Sequence, residues 1–490
     1  MRGFKSRPLT ARSVAWDAWR AKRGGSAAIA ARQQARLQAL VEHARRASRF
    51  YAEHYRAVPS GPIRLEELDR LPAVPKPELM ARFDDWVTDP AVTRAGVEQF
   101  VADLDNLGRD FLGRYVVFAT SGSTGVPALL VQDQRAVAVM TGLAYVRGLS
   151  ALSPKLAAKM LTRPPRVAAV FAQGGHFLST TMFERRLRTA PFRRRISRFF
   201  SVLDPLPVLV ERLNAFQPAM IGTYATALAA LTDEQEAGRL HISPLVITSG
   251  GELLTPATQR RAETAFDCLV TQSYAASEAM PLALPCRRGR LHLNSDWFVT
   301  EPVDAAGQPV PLGSRSEALL VTNLADYVQP VIRYQLGDSV LISKEPCQCG
   351  SPLETISVEG RTDEILRVPR SGGGEVVLLP MAIATVVEET AGVRRYQVVQ
   401  TASDAFTVRL ESNPGTDRNA VWQRVHDSLS EFLSTHDVAD VALHLAPEPP
   451  QVNPGSGKLR HVLRLLPPGS DDDAGRAPAV GTKPDTSPQH

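Results

Sequence analysis

Between Arg114 and Ala128 the chain reads RYVVFAT and then SGSTGVPA, a short apolar run delivered directly into a loop of small hydroxyl and glycine residues. A run of that kind is a buried strand, and a loop so rich in Gly, Ser and Thr can turn consecutive backbone N–H groups toward an anion. The loop is not a Walker A motif, which needs Gly-Lys-Ser/Thr after four intervening residues, nor a GxGxxG dinucleotide turn. A plain Gly-Ser surface turn is its alternative in isolation. The next hundred or so residues restrict the fold further. A helical stretch covers Gln134 to Arg147, RVAAVFA (166–172) reads as a strand, Val208, Val210, Leu213 and Phe216 recur at helical spacing, and PLVITSGGE (244–252) is a strand again. Short apolar strands alternating with helices predict an α/β architecture with parallel or mixed sheets and flanking helices.

After Gly360 the pattern changes. Val421, Val425, Leu429, Phe432 and Leu433 share one helix face, while Phe406, Val408 and Leu410, and then Val441, Leu443 and Leu445, alternate as half-buried strands. This predicts a small α+β C-terminal domain. The boundaries expected are a helical N-terminal region of the large domain (1–110), its binding core (111–359), a junction (360–363), the small domain (364–466) and a disordered Pro/Gly/Ser/Asp-rich tail (467–490).

With 490 residues, 44% hydrophobic and 22% charged, the chain is neither disordered nor collagen-like. No apolar run reaches the roughly 18–20 residues a membrane span needs. The net charge of +5 is uneven. Residues 1–60 carry 11 arginines and two lysines against Asp17, Glu42 and Glu53. That segment lacks the apolar core of a secretory signal, and Trp16, Trp19, Leu37, Leu40 and Val41 predict amphipathic helices packing on a core. No aromatic-interleaved platform or zinc-finger spacing accompanies the charge, so a nucleic-acid partner is not expected. Only eight residues are lysine and four cysteine, which makes each worth locating.

TSGSTGVP resembles the signature loop of the adenylate-forming superfamily, which includes acyl-CoA synthetases, luciferases and peptide-synthetase adenylation domains. Further segments come in that family's order. SGGE (249–252) is similar to the segment backing the adenine, SYAASE (273–278) to the aromatic-Gly-x-Thr-Glu motif, RYQLGD (333–338) to the ribose-binding motif, GRTD (360–363) to the hinge and PGSGK (454–458) to the C-terminal lysine loop. The resemblance covers about residues 110–465. It is greatest to the phenylacetate-CoA ligase branch, through ERLNAFQPAMIGTYATAL, QPVIRYQLGD and CQCG shortly before GR.

The resemblance implies ATP-dependent conversion of a carboxylate to an acyl-AMP, followed by transfer to coenzyme A. Thr120, Ser121, Gly122, Ser123, Thr124 and Gly125 would hold the ATP phosphates, with Thr124, Glu278 and Lys458 as the catalytic set. Glu278, acceptor-only when ionised, would hold Mg²⁺. Gly250, Gly251 and Glu252 would back the adenine, Tyr274 would give it a flat face, Asp338 would accept from both ribose hydroxyls, and Arg361 would reach ribose or phosphate. Asp363 would be the hinge of a mobile lid domain. Lys458 would place a point charge between carboxylate and α-phosphate. Taken singly, each of these has an ordinary reading as a core aromatic or a solvated charge. The chain departs from the family at Ala128, where many members carry lysine, and at Ala275 and Ser277 in the adenine motif.

Cys286, His292, Cys347 and Cys349 make three thiols and an imidazole, a complete tetrahedral zinc set, although the spacing is not that of C-x2-C fingers. Buried unpaired cysteines are the alternative. Relatives of the same branch carry a similar constellation, which implies a structural Zn²⁺. Cys268 is expected in the core.

In this branch the acid pocket lies beside AQGGHF (172–177) and GTY (222–224), so Phe171, Gly174, Gly175, His176 and Tyr224 are the expected lining, suited to an aryl or arylacetic acid. A loop histidine with its hydrogen bonds satisfied is the other reading of His176. The arginine cluster from Arg185 to Arg198 would meet CoA phosphates or be a solvated face. Transfer to a phosphopantetheine carrier protein or an amine is the alternative to CoA, and a silent nucleotide-binding protein the third reading. A cytoplasmic protein with no membrane partner, with a homodimer as a candidate assembly, completes these expectations.

Overall fold

The computed structural model of the chain describes residues 9–120, 128–173, 175–343, 345–361, 364–378, 380–438, 441–452 and 459–465. The chain divides into two compact units, Met1–Thr362 with Gln451–Arg460, and Asp363–Pro450 with His461–His490.

In the first unit the strands, in chain order, are β1 (Val116–Ala119), β2 (Leu129–Gln132), β3 (Val167–Phe171), β4 (Ser197–Ser201), β5 (Met220–Thr223), β6 (Val246–Gly250), β7 (Leu269–Ala276), β8 (Ala279–Pro285), β9 (Leu291–Leu293), β10 (Phe298–Val303), β11 (Ala318–Asn323), β12 (Val331–Leu336), β13 (Asp338–Ile342) and β14 (Thr355–Arg361). Nine of them form one mixed sheet in the order β13-β14-β9-β8-β7-β6-β5-β3-β4. The run from β4 through β3, β5 and β6 to β7 is parallel, with helices Leu178–Thr189, Leu206–Phe216, Ala225–Glu236 and Pro256–Phe266 as crossovers. The other pairings are antiparallel. β10, β11 and β12 form a separate antiparallel sheet.

The strand that enters the Gly/Ser/Thr loop does not join the large sheet. β1 pairs antiparallel with β2, Phe118 opposite Leu130, and Thr120 and Ala128 close the mouth of the loop between them. Buried Gln329 clamps this hairpin, its Oε1 accepting from Val131 N at 2.8 Å and its Nε2 donating to the Leu129 carbonyl at 3.2 Å. The Leu206–Phe216 helix buries Leu209, Val210, Leu213 and Phe216, while Val208 is exposed.

The N-terminal helices are fastened to the core by long-range bonds. Tyr51 Oη and Trp86 Nε1 both donate to the Pro330 carbonyl, at 3.0 and 2.6 Å. Leu37, Leu40 and Val41 are buried, but Trp16 and Trp19 are not in the core: they are 60% and 38% exposed. At 100° per residue, Val14, Ala18 and Ala21 form the buried stripe of the Ala11–Arg23 helix and the two indoles fall on its opposite side. Small residues win the inward face because this helix lies tight on the Gln134–Gly148 helix. A Cβ on Gly142 would stand 2.7 Å from the Ala11 carbonyl oxygen. Among the described residues no single helix is long and apolar enough to cross a membrane.

In the second unit, Val393–Ala402 and Ala405–Ser412 form a hairpin flanked by parallel strands Ala442–Leu445 and Val462–Arg464. The helix Arg418–Thr435 buries Val421, Val425, Leu429 and Leu433 in a core shared with Ile383, Val398 and Phe406.

Candidate active site

The loops that leave the parallel strands gather at the carboxyl edge of the sheet, the usual ligand side of an open α/β sheet. The backbone of His176, after β3, accepts from Ala119 N at 2.8 Å, so this loop runs beside the end of β1. At the base of the Gly/Ser/Thr loop Thr120 N donates to the Ala128 carbonyl at 2.9 Å, and Thr120 Oγ1 accepts from Ala128 N at 2.7 Å. Ser121, Gly122, Ser123, Thr124 and Gly125 lie outside the described residues, as do Gly174, Asp363 and Lys458.

The motif residues that are described converge. Tyr274, at the end of β7, is 8% exposed, and its hydroxyl donates to Asp338 Oδ2 at 2.6 Å. Arg361 Nη1, at the end of β14, stands 3.7 Å from Asp338 Oδ1. β13 and β14 set that pair, since Asp338 and Arg361 are direct partners in the ladder. Burial, reinforced by the Asp338 carboxylate, holds the Tyr274 hydroxyl protonated well above its usual range. Tyr274 therefore orients the Asp338 carboxylate.

Glu278, in the turn between β7 and β8, is 8% exposed and accepts from the Tyr334 hydroxyl at 2.7 Å through Oε1. Its Oε2 takes no hydrogen bond among the described residues, which leaves a hard oxygen of the kind Mg²⁺ prefers. Burial and the Glu278 carboxylate push the Tyr334 pKa far up, so this hydroxyl is a permanent donor. Asn323 Nδ2 fixes the Glu278 carbonyl at 2.9 Å.

Sequence reasoning assigned no role to Tyr334 or to Lys76. Val74 bridges Tyr334 in parallel and exchanges hydrogen bonds with Arg333 and Gln335, which carries Lys76 into the electrostatic range of both Glu278 and Arg361. Burial holds the Lys76 ammonium below its ordinary pKa, with Glu278 opposing the shift. The one signal available was the rarity of lysine. Arg333, by contrast, is structural: it is buried, paired with Glu301 at 2.9 Å and bonded to the Asp69 and Leu71 carbonyls.

Around the expected acid pocket, Phe171 meets Tyr224 edge to face, ring centroids 4.9 Å apart. Glu252 Oε2 accepts from Thr226 N and Oγ1, both at 2.8 Å, tying the loop after β6 to the helix after β5. Gly250 lies close to β7, where an added Cβ would be 3.2 Å from Ser273 Oγ, and Gly251 takes a positive φ of 78° beside it. His176 is buried, its Nε2 3.2 Å from the Asp103 carbonyl and its ring 5.7 Å from Phe100, while its Nδ1 is buried with no hydrogen-bond partner among the described residues. Gly175 sits against the Phe177 ring. Within the arginine cluster, Arg185 pairs with Asp110, and Arg188 donates to the Leu107 carbonyl at 2.8 Å.

A second constellation sits at the other end of β8 from Glu278. The ligand atoms of Cys286, His292, Cys347 and Cys349 all lie within 4.8 Å of one another. Cys286 Sγ and Cys347 Sγ are 4.0 Å apart, against about 3.8 Å for two thiolates on one tetrahedral zinc. His292 Nδ1 donates to the Leu353 carbonyl at 2.8 Å, which aims the Nε2 lone pair at Cys349 Sγ, 3.3 Å away. Two tight turns present the thiols, Gly289 N bonding to the Cys286 carbonyl and Gly350 N to the Cys347 carbonyl, both glycines at positive φ. Burial and the hydrogen-bonded thiols of Cys347 and Cys286 push Cys349 up to about 11, while Cys347 is lowered. The donor set fits zinc. Cys268 stands apart, half-buried, its thiol pushed to about 12 by burial.

No family model matches the chain. Protein CapK of Staphylococcus aureus is 26% identical over 245 residues, 49% of this chain and 52% of that protein. The phenylacetate-coenzyme A ligase of Thermus thermophilus is 25% identical over 278 residues, 52% of this chain and 62% of that protein. The chain thus spans just over half the length of the curated relatives it matches. Among solved structures, a 2-hydroxyisobutyryl-CoA ligase in the postadenylation state with 2-HIB-AMP superposes with a TM-score of 0.68 at 19% identity, covering 95% of this chain and 94% of that one.

Proposed function

Because the chain has the fold of the adenylate-forming ligases, we propose that it activates a carboxylic acid with ATP as an acyl-AMP and passes the acyl group to coenzyme A. The observation that carries this reading is the convergence of Tyr274, Glu278, Asp338 and Arg361, four side chains from three separate motifs, around the carboxyl edge of the sheet.

Each has a task in that reaction. Asp338, fixed by Tyr274 and Arg361, receives the ribose hydroxyls. Tyr334 fixes Glu278 so that Oε2 would hold Mg²⁺, which offsets phosphate charge as the carboxylate attacks the α-phosphorus. Lys76, within electrostatic range of Glu278 and Arg361, would add a further cation to the site. Lys458 would reach the α-phosphate from its own loop. The Cys286, His292, Cys347 and Cys349 set would hold a structural Zn²⁺ that staples the β8–β9 turn to the loop before β14, away from the reacting atoms.

For the acid we propose an aryl or arylacetic carboxylate, on the strength of the Phe171–Tyr224 edge contact, which presents an aromatic wall beside β5. A reducing cytoplasmic compartment suits four cysteines none of which is in a disulfide. ATP–pyrophosphate exchange across aromatic and short aliphatic acids is the test, followed by detection of the CoA thioester. Exchange with aliphatic acids alone would remove the aromatic assignment, and absence of exchange with every acid would remove the adenylation reading.

A further inference from the structure

The outward face of the Ala11–Arg23 helix has no part in the site. With Val14, Ala18 and Ala21 buried, the opposite side presents Arg12, Trp16, Trp19, Arg20 and Arg23, all exposed. The indoles stack on each other at 4.9 Å with 20° between planes, and the Arg23 guanidinium lies 4.4 Å from the Trp19 ring centre. The helix's one acid, Asp17, is engaged by Arg32 at 2.9 Å and Arg36 at 2.5 Å, which leaves the outer face purely cationic. Elsewhere the chain hides its indoles: Trp86 and Trp297 are fully buried and Trp422 is half-buried. Two adjacent indoles in water forgo the burial that makes tryptophan useful, and a patch of that kind marks a surface that something covers.

We propose that this face docks the large unit on an anionic phospholipid bilayer. Indoles suit the headgroup layer, where an apolar body and an N–H can both be satisfied, and arginines bury their stems while their guanidinium groups bind phosphates. A basic helix with tryptophans on its free face and low overall hydrophobicity lies in the plane of such a surface. The sequence leading into the helix adds Arg2, Phe4, Lys5 and Arg7 and no acid. Attachment is peripheral, since the helix is held from behind by its contact at Gly142. This departs from the sequence-based expectation that no membrane is involved, and it is independent of the proposed chemistry.

Two other occupants fit less well. Single-stranded nucleic acid needs open ring faces along a groove, whereas these rings cover each other, and Arg23 lies against Trp19, on a convex helix. A second copy of the same face would set cation against cation.

The test uses the full chain in flotation with phosphatidylcholine vesicles and with vesicles that also contain phosphatidylglycerol, at low and high salt. The expected result is flotation with the mixed vesicles alone, weakened by salt. The double variant Trp16→Ser/Trp19→Ser should float at least about tenfold less at an unchanged melting temperature. Trp16→Phe/Trp19→Phe should still float but lose the fluorescence quenching that brominated lipids produce in the native chain. Arg12→Glu/Arg20→Glu/Arg23→Glu should abolish flotation. The proposal is overturned if the native chain does not float, if flotation survives the serine variant, or if the two tryptophans instead govern oligonucleotide binding or self-association.

Discussion

Replacing Glu278 by Gln separates the chemistry of the site from its folding. The carboxamide keeps an oxygen where Oε1 now accepts from Tyr334 at 2.7 Å. The stability cost is then the difference between a charge-assisted and a neutral hydrogen bond, about 1 kcal/mol. What disappears is the negative charge in a nearly closed site. Removing one such preorganised electrostatic element costs a reaction about 10²–10³ in rate, or about 2.7–4 kcal/mol. Tyr334→Phe leaves the charge and removes its positioning hydroxyl. The lost bond to a charged group is worth at most about 1.5–3 kcal/mol, so a loss of about tenfold to a hundredfold is expected. If Tyr334 acts through Glu278, adding Tyr334→Phe to Glu278→Gln should lower exchange by less than about threefold more. The assay is ATP–pyrophosphate exchange at saturating acid, alongside thermal unfolding. Exchange by Glu278→Gln within about threefold of the native chain, at an unchanged melting temperature, would refute the reasoning.

Lys458→Ala should abolish acyl-adenylate formation while sparing thioester formation from a supplied acyl-AMP; equal loss of both halves would remove its separate role. Metal analysis of protein purified without chelators should find about one zinc per chain, lost in Cys347→Ser together with several degrees of melting temperature, as for a site that closes only in the folded state; a native chain without zinc would end that assignment. The buried Asp326 carboxyl, accepting from Val328 N at 3.2 Å, is held protonated well above its usual pKa by burial, with Asp133 adding to the shift. A raised folded pKa means stability is lost as pH climbs above the unfolded carboxylate value toward the folded one. Asp326→Asn should therefore melt higher than the native chain at neutral pH, and the gap should close as pH falls toward 4; a constant gap would contradict it.

Much of the fold is local enough to be read. Buried runs such as Val167–Phe171 and Val246–Gly250, and the period of Val421, Val425, Leu429 and Leu433, identify their elements because burial is written into the spacing of apolar residues. Partnership is harder to read. β1 looks like a strand of the parallel sheet but forms its own hairpin, held by Gln329 from two hundred positions away. Trp16 and Trp19 look like core residues, yet the close contact at Gly142 admits only the small face of their helix. Val208 yields its place to Leu209 for the same kind of reason, the phase of one helix against its neighbours.

The site divides along the same line. Tyr274, Glu278, Asp338, Arg361 and the four zinc-type ligands could be named as candidates from sequence, because their chemistry resides in side-chain type and motif order. Only the tertiary structure decided what each one touches: that Tyr274 serves Asp338, that Tyr334 holds Glu278, that His176 turns to a backbone carbonyl and that Lys76 arrives through a bridge across 260 positions. Side-chain chemistry is a property of the residue, whereas pKa, orientation and partnership depend on distances of a few ångströms, which the packing of remote segments sets.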